Sequence, residues 1–137
     1  MNEGGTNEGG MDDQQRREQG MRIRREVLGD AHVDRAAAAA SPLTEDFQDF
    51  LTRYAWGDVW ARPGLDRRMR SAITVAALTA LDRPDELALH LRAALRNGLT
   101  REEIAEVLLH TSIYAGIPAA NQAFALAKDA LAEAPTD

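Results

Sequence analysis

Cysteine is absent from the 137 residues. That excludes a disulfide framework, a thiolate nucleophile, Cys-ligated zinc and a dithiol redox centre, and it suits a cytoplasmic enzyme. Lysine is nearly absent too: Lys128 stands alone, and arginine carries almost all the positive charge. Lys+Arg 16 against Asp+Glu 22 leaves a net charge of −6, which argues against a protein that works by neutralising the phosphates of nucleic acid. An anionic small molecule remains compatible with that balance, because a few arginines make a positive pocket inside an acidic chain. No apolar run approaches the ~20 residues that span a bilayer, so no membrane partner is expected. The N-terminus lacks the charged-then-apolar layout of a signal peptide. There is no phosphate loop, no dinucleotide fingerprint, no His-Glu-x-x-His and no Cys/His metal spacing, so no metal is expected.

What is present is helix. Residues 1–10 are Gly, Asn, Glu and Thr with almost nothing apolar, a composition that predicts a disordered tail. Residues 11–137 fit a single domain. Asp12 to Leu28 reads as a helix stopped by Gly29, and Val33 to Ala40 as a short second one. Thr44 is placed to cap a third, in which Phe47, Phe50, Leu51 and Tyr54 recur at i, i+3, i+4 and i+7. Gly57 is expected to end it, leaving 57–65 as an ordered loop in which Trp60 and Leu65 want burial. Asp66 can cap a helix to about Leu81 that is apolar nearly all round, the pattern of a buried central helix. Its polar stripe is Arg67, Arg70, Ser71 and Thr74. Pro84 opens the next helix and Asn97-Gly98 closes it. Thr100 with Glu103 forms a capping box for a helix to about Tyr114, and a last helix begins at Pro118 and frays before Pro135. The expected fold is all-α, a compact bundle of six to seven helices.

Without a thiol, the groups that titrate near neutral pH reduce to three histidines and any perturbed carboxylates. His90 falls at the edge of the apolar face formed by Leu87, Leu91, Ala94 and Leu95, and Glu86 sits one turn before it on the same side. The pair reads either as an acid–base couple, the carboxylate fixing the tautomer and raising the ring's pKa, or as a boundary histidine beside a helix-stabilising carboxylate. His110 falls off its apolar face near Glu103 and Glu106 and reads as solvated. His32 lies at a helix junction that leaves its role open. Arg62, Arg67, Arg68 and Arg70 cluster beside Trp60, either as forks for a carboxylate or as solvated arginines at a helix start. Arg70, on an otherwise apolar helix, needs a partner carboxylate from the protein or from a ligand. Leu89 points away from its helix's own apolar face and, with few aromatics available to close a core, predicts a homo-oligomer.

Four blocks carry a resemblance: Arg24-Arg25-Glu26-Val27-Leu28-Gly29-Asp30-Ala31-His32-Val33-Asp34; Trp56-Gly57-Asp58-Val59-Trp60-Ala61-Arg62-Pro63-Gly64-Leu65; Glu86-Leu87-Ala88-Leu89-His90-Leu91-Arg92-Ala93-Ala94 with Asn97-Gly98; and Tyr114-Ala115-Gly116-Ile117-Pro118-Ala119-Ala120-Asn121. In order and spacing they resemble the carboxymuconolactone decarboxylase family over the whole chain beyond the tail. The resemblance implies a helical fold shared with alkylhydroperoxidase D-like proteins, assembled as trimers or hexamers with sites near subunit contacts. It implies decarboxylation of 4-carboxymuconolactone to 3-oxoadipate enol-lactone, a step of protocatechuate breakdown by the β-ketoadipate pathway. Peroxidase relatives carry Cys-x-x-Cys-x-x-x-His, which falls here on Arg83, Glu86 and His90; both thiols are gone, which excludes dithiol chemistry. Ala115 is a second departure, standing where related decarboxylases often carry cysteine.

The implied reaction needs no cofactor. Electrons left by CO₂ flow through the C=C bond onto the lactone carbonyl, so the substrate is its own sink. The dienolate oxygen must then be stabilised and the carbon beside that carbonyl protonated. With the resemblance, His90 is expected as the acid and Glu86 as its support. Arg70 and Arg62 are expected on the acetate arm, and Trp56, Trp60 and Tyr114 as walls. The alternatives are a decarboxylase or isomerase of another small lactone or keto acid, and a non-catalytic helical oligomer.

Overall fold

The computed structural model describes residues 10–133. The tail expected at 1–10, Gly10 apart, and the fraying expected before Pro135 lie outside them. Every regular element among the described residues is helical, as the apolar spacing predicts. They are α1 (Asp13–Leu28), α2 (Asp30–Ala38), α3 (Glu45–Leu51), a π-helical segment (Thr52–Trp60), α4 (Arg67–Ala80), α5 (Pro84–Arg96), α6 (Arg101–Ala115) and α7 (Ile117–Glu133). None is long and apolar enough to cross a membrane. The elements fall into two compact units, the first ending at Pro63 and the second beginning at Gly64.

In the first unit α1 starts with a reciprocal cap. The Gln15 N–H donates to Asp12 Oδ1 at 2.8 Å and the Asp12 N–H to Gln15 Oε1 at 3.0 Å, satisfying donors that a helix start leaves open. Gly29, at φ 92°, stops it. The next helix begins at Asp30 rather than at Val33, because Arg25 reaches Asp30 at 3.1 Å and Asp34 at 2.9 Å and the acidic first turn suits a helix N-terminus.

The buried positions of α1 are Gly20, Ile23, Arg24, Val27 and Leu28, one stripe at helical spacing. Gly20 is there for closeness: a Cβ on it would run into the carbonyl of Thr52, and a Cβ on Gly57 would run into the carbonyl of Arg16. Backbone meets backbone where α1 crosses the π segment, and Gln19 Nε2 donates to the Gly57 carbonyl at 3.0 Å. This corrects the expected helix end and loop at Gly57. Without a Cβ the residue is where α1 can approach, and the chain stays helical to Trp60. Trp56 is buried and stacks on Trp60 with centroids 5.1 Å apart.

Two expectations for α3 also change. Thr44 makes no side-chain cap; its Oγ1 accepts from the Ser41 N–H at 3.1 Å instead, a local turn that competes with capping. Phe47 and Phe50 do share a face, yet they are 61% and 53% exposed. Periodicity marks an apolar stripe and not what covers it.

In the second unit Asp66 caps α4, accepting from the Met69 N–H at 2.8 Å, and Pro84 occupies the first turn of α5. A short turn through Asp82, at φ 58°, folds α5 back antiparallel to α4. The buried Ser71 and Asn97 lock their register through a 2.9 Å hydrogen bond. The core joins Val75, Leu87, Leu91, Leu99, Ile104 and Leu108 to the alanines of α7 at 123, 127 and 130, whose small size lets that helix lie close. The expectation that α4 is buried all round does not hold. Only Ser71, Val75 and Thr79 are buried, and Met69, Ile73 and Leu81 are half or more exposed.

The start of α6 is tied to α4. Arg68 grips Glu103 with a two-pronged fork, at 3.0 and 2.6 Å, and also donates to the Gly98 carbonyl. That guanidinium, together with the Thr100 N–H, lowers the Glu103 carboxyl from 4.5 to about 2. A depressed folded pKa contributes stability above the unfolded value and loses it as pH falls through the folded one. Acid denaturation between pH 4.5 and about 2 is therefore expected to become shallower in Glu103→Gln, read by urea unfolding at stepped pH. An unchanged slope would show that the pair contributes nothing to stability.

Candidate active site

His90 lies between Leu87 and Leu91 on α5 and is 9% exposed, with Nδ1 fully buried. It sits deeper than the boundary position predicted from helical spacing. An imidazole in such surroundings is shielded from bulk water. Glu86 is exposed on the first turn of α5 and makes no hydrogen bond or ion pair among the described residues. The structure therefore does not bring Glu86 onto His90; at the helix N-terminus the carboxylate is stabilised by water and by the helix dipole.

Arg68 commits its fork to Glu103, and Arg62 is exposed. Arg70 is half-buried on the polar stripe of α4 with its Nε fully buried, and Thr74 on the same stripe bonds back to the Arg70 carbonyl at 2.8 Å. In the first unit Trp56 and Trp60 form a stacked pair. Tyr114 is 80% exposed, its ring 5.6 Å from that of His110. Ala115 ends α6, and the Gly116 N–H that follows is spent on the Ser112 carbonyl. His32 is half-buried in the first turn of α2.

Two of the cavities formed inside single units are lined by buried core or charged side chains. One, of about 390 Å³, lies between α6 and α7; the other, of about 500 Å³, lies among α1, α2 and α3. Neither is lined by His90, Arg70, Arg62, Trp56, Trp60 or Tyr114. The second is lined by Arg24, a residue to which sequence reasoning gave no role. A signal for it existed, since Arg24 shares the stripe of Gly20, Ile23 and Val27 and so interrupts an apolar face.

Residues 45–129 match the model of the carboxymuconolactone decarboxylase family. The chain is 50% identical over 119 residues to the 4-carboxymuconolactone decarboxylase of Acinetobacter baylyi, covering 87% of this chain and 89% of that one. It is 42% identical over 106 residues to a nitrosuccinic acid decarboxylase of Metarhizium robertsii, covering 77% and 74%. A 4-carboxymuconolactone decarboxylase sequence of Pseudomonas putida matches along its full length, at 50% identity over 48 residues. The resemblance of the four sequence blocks is thereby established, and the chain belongs to the carboxymuconolactone decarboxylase family.

Proposed function

We propose that this chain decarboxylates 4-carboxymuconolactone to 3-oxoadipate enol-lactone, the reading carried by half-identity along nearly the whole length of a relative with that name. Loss of CO₂ leaves an electron pair that moves through the conjugated C=C bond onto the lactone carbonyl, giving a dienolate. His90 then gives its proton to the carbon beside that carbonyl and the carbonyl reforms. The support for His90 is its burial at 9% exposure within the apolar face of α5; Glu86, exposed, acts at most through the helix. Arg70 and Arg62 bind the acetate arm. Pairing an arginine with the departing carboxylate would stabilise a charge that must vanish in the transition state. Trp56, Trp60 and Tyr114 supply apolar surface to the ring.

The working form is a cytoplasmic homo-oligomer, a trimer or hexamer. Its support is the apolar surface left open in the single chain: Met69, Ile73 and Leu81 along α4, and Leu109, Ile113 and Ile117 at the junction of α6 and α7. Patches of that kind mark subunit contacts more often than free surface.

The experiment is an ultraviolet assay of lactone loss by purified, chelator-treated protein, whose sample is also sized by light scattering. Turnover without added cofactor by an oligomer is expected; a need for metal or organic cofactor, or a monomer at micromolar concentration, overturns the corresponding part. The relative named for nitrosuccinic acid makes that acid the second compound to assay.

Arg70→Lys keeps the charge but loses the planar fork. It is expected to raise KM several-fold with kcat nearly unchanged, because the acetate arm stays charged from ground state to transition state. An unchanged KM with a lowered melting temperature would make Arg70 a structural residue and leave Arg62 for the arm.

A further inference from the structure

Arg24 sits in the middle of the buried stripe of α1 and is only 8% exposed. Among the described residues its two terminal nitrogens reach neutral acceptors alone, Thr52 Oγ1 at 3.4 Å and Gln48 Oε1 at 3.2 Å, both at the long end for N–H···O bonds. Its Nε is buried with no hydrogen-bond partner among the described residues. The arginines nearby are supplied with carboxylates: Arg25 with Asp30 and Asp34, Arg17 with Asp49. Burial, and after it the charge of Arg25, pull the Arg24 guanidinium below its ordinary value. A buried cation without a counterion is costly, and the cost falls when an anion arrives.

The same guanidinium lines the cavity of about 500 Å³ among α1, α2 and α3, whose walls include Met21, Val33 and Ala37. That volume suits a small organic molecule. Glu45 and Asp46, exposed on the first turn of α3, also line it. Their charge repels a doubly charged phosphate more than a singly charged carboxylate.

We propose that this cavity binds small monocarboxylates, the carboxylate oxygens taking the terminal nitrogens of Arg24 in place of their long bonds to Thr52 and Gln48 while the apolar body rests on Met21, Val33 and Ala37. The site is built entirely from the first unit. The carboxylate has two sources with the same chemistry, an acid group of the lactone substrate or a separate small molecule.

The test uses full-length protein carrying ¹⁵N-arginine, titrated with butyrate, benzoate, butyramide and inorganic phosphate while the Arg24 Nε–H resonance is followed. A saturable shift with butyrate and benzoate is expected, with little from phosphate and none from the uncharged butyramide. Calorimetry on Arg24→Met is expected to lose the butyrate binding. That variant should fold, since an apolar side chain of similar size in place of a buried charge is often neutral or stabilising. Arg24→Lys should keep part of the binding. No shift with any carboxylate, an equal shift with butyramide, or undiminished binding in Arg24→Met would overturn the proposal. Competition of butyrate with the lactone that is lost in Arg24→Met places the substrate's acetate arm at Arg24 instead of Arg70 and Arg62, and binding without competition marks a separate ligand. The resonance and calorimetric measurements need no turnover, so they stand or fall apart from the decarboxylase reading.

Discussion

Replacing His90 with alanine is expected to lower kcat for the lactone by about 10²-fold or more, the range typical of a lost general acid. The effect falls on kcat and kcat/KM alike, because the proton is transferred only in the transition state and the ring adds little to substrate binding. His90 is buried between Leu87 and Leu91, so alanine also leaves a cavity and costs stability. His90→Gln separates the two effects: it keeps most of the bulk and hydrogen-bonding capacity but cannot titrate near neutral pH. It should retain the melting temperature, lose the rate, and remove one limb of the pH–rate profile. Glu86→Gln, exposed and out of contact with the ring, should stay within a few-fold of the parent. His90→Gln activity close to the parent's would sink the acid assignment and return His90 to a packing role.

The second large effect is on stability and comes from a single methyl group. Gly20→Ala would ordinarily be favourable inside a helix, by about 1 kcal/mol of intrinsic propensity. Here the added Cβ lands on the Thr52 carbonyl and crowds the Gly57 nitrogen. Backbone cannot rotate out of the way as a side chain can, so α1 and the π segment must separate. A net loss of about 1–3 kcal/mol or more is expected, the usual cost of overpacking, and Gly57→Ala should lose a similar amount against Arg16. Gly64→Ala is the control, since nothing lies within 4 Å of a Cβ placed there. Both tryptophans of the chain, Trp56 and Trp60, belong to the π segment, so urea unfolding followed by their fluorescence reads the joint directly. Equal midpoints for Gly20→Ala and Gly64→Ala would show that α1 and the π segment do not pack this closely.

Helix limits were legible because caps and stops are chemistry between near neighbours. Asp66 reaches the amide of Met69, and Thr100 and Glu103 satisfy each other's amides. Pro84 acts through its fixed φ and missing N–H, and the glycines at 29, 98 and 116 through their backbone freedom, all three at positive φ. The candidate site was legible only as residue types. Spacing identified His90 as a histidine against an apolar face. It also paired it with Glu86, because side chains one turn apart are neighbours on a helix; whether such neighbours touch depends on which way solvent lies.

By itself, then, the sequence determined the all-helical class, most of the helix ends and the family, and its lack of cysteine reduced the groups that titrate near neutral pH to three histidines and any perturbed carboxylates. Tertiary structure decided burial and partnership. Phe47 and Phe50 form the stripe that periodicity shows but face outward. Gly57 continues a helix because α1 needs its missing Cβ, and Arg68 is taken by a carboxylate 35 residues away. Arg24 interrupts the apolar stripe of α1 in the sequence, but only α2, α3 and Thr52 turn that position into the wall of a cavity. The physical reason is common to all of these: a cap or a turn is settled within a few residues of chain, whereas water is excluded from a side chain only by elements that folding brings from far along the sequence.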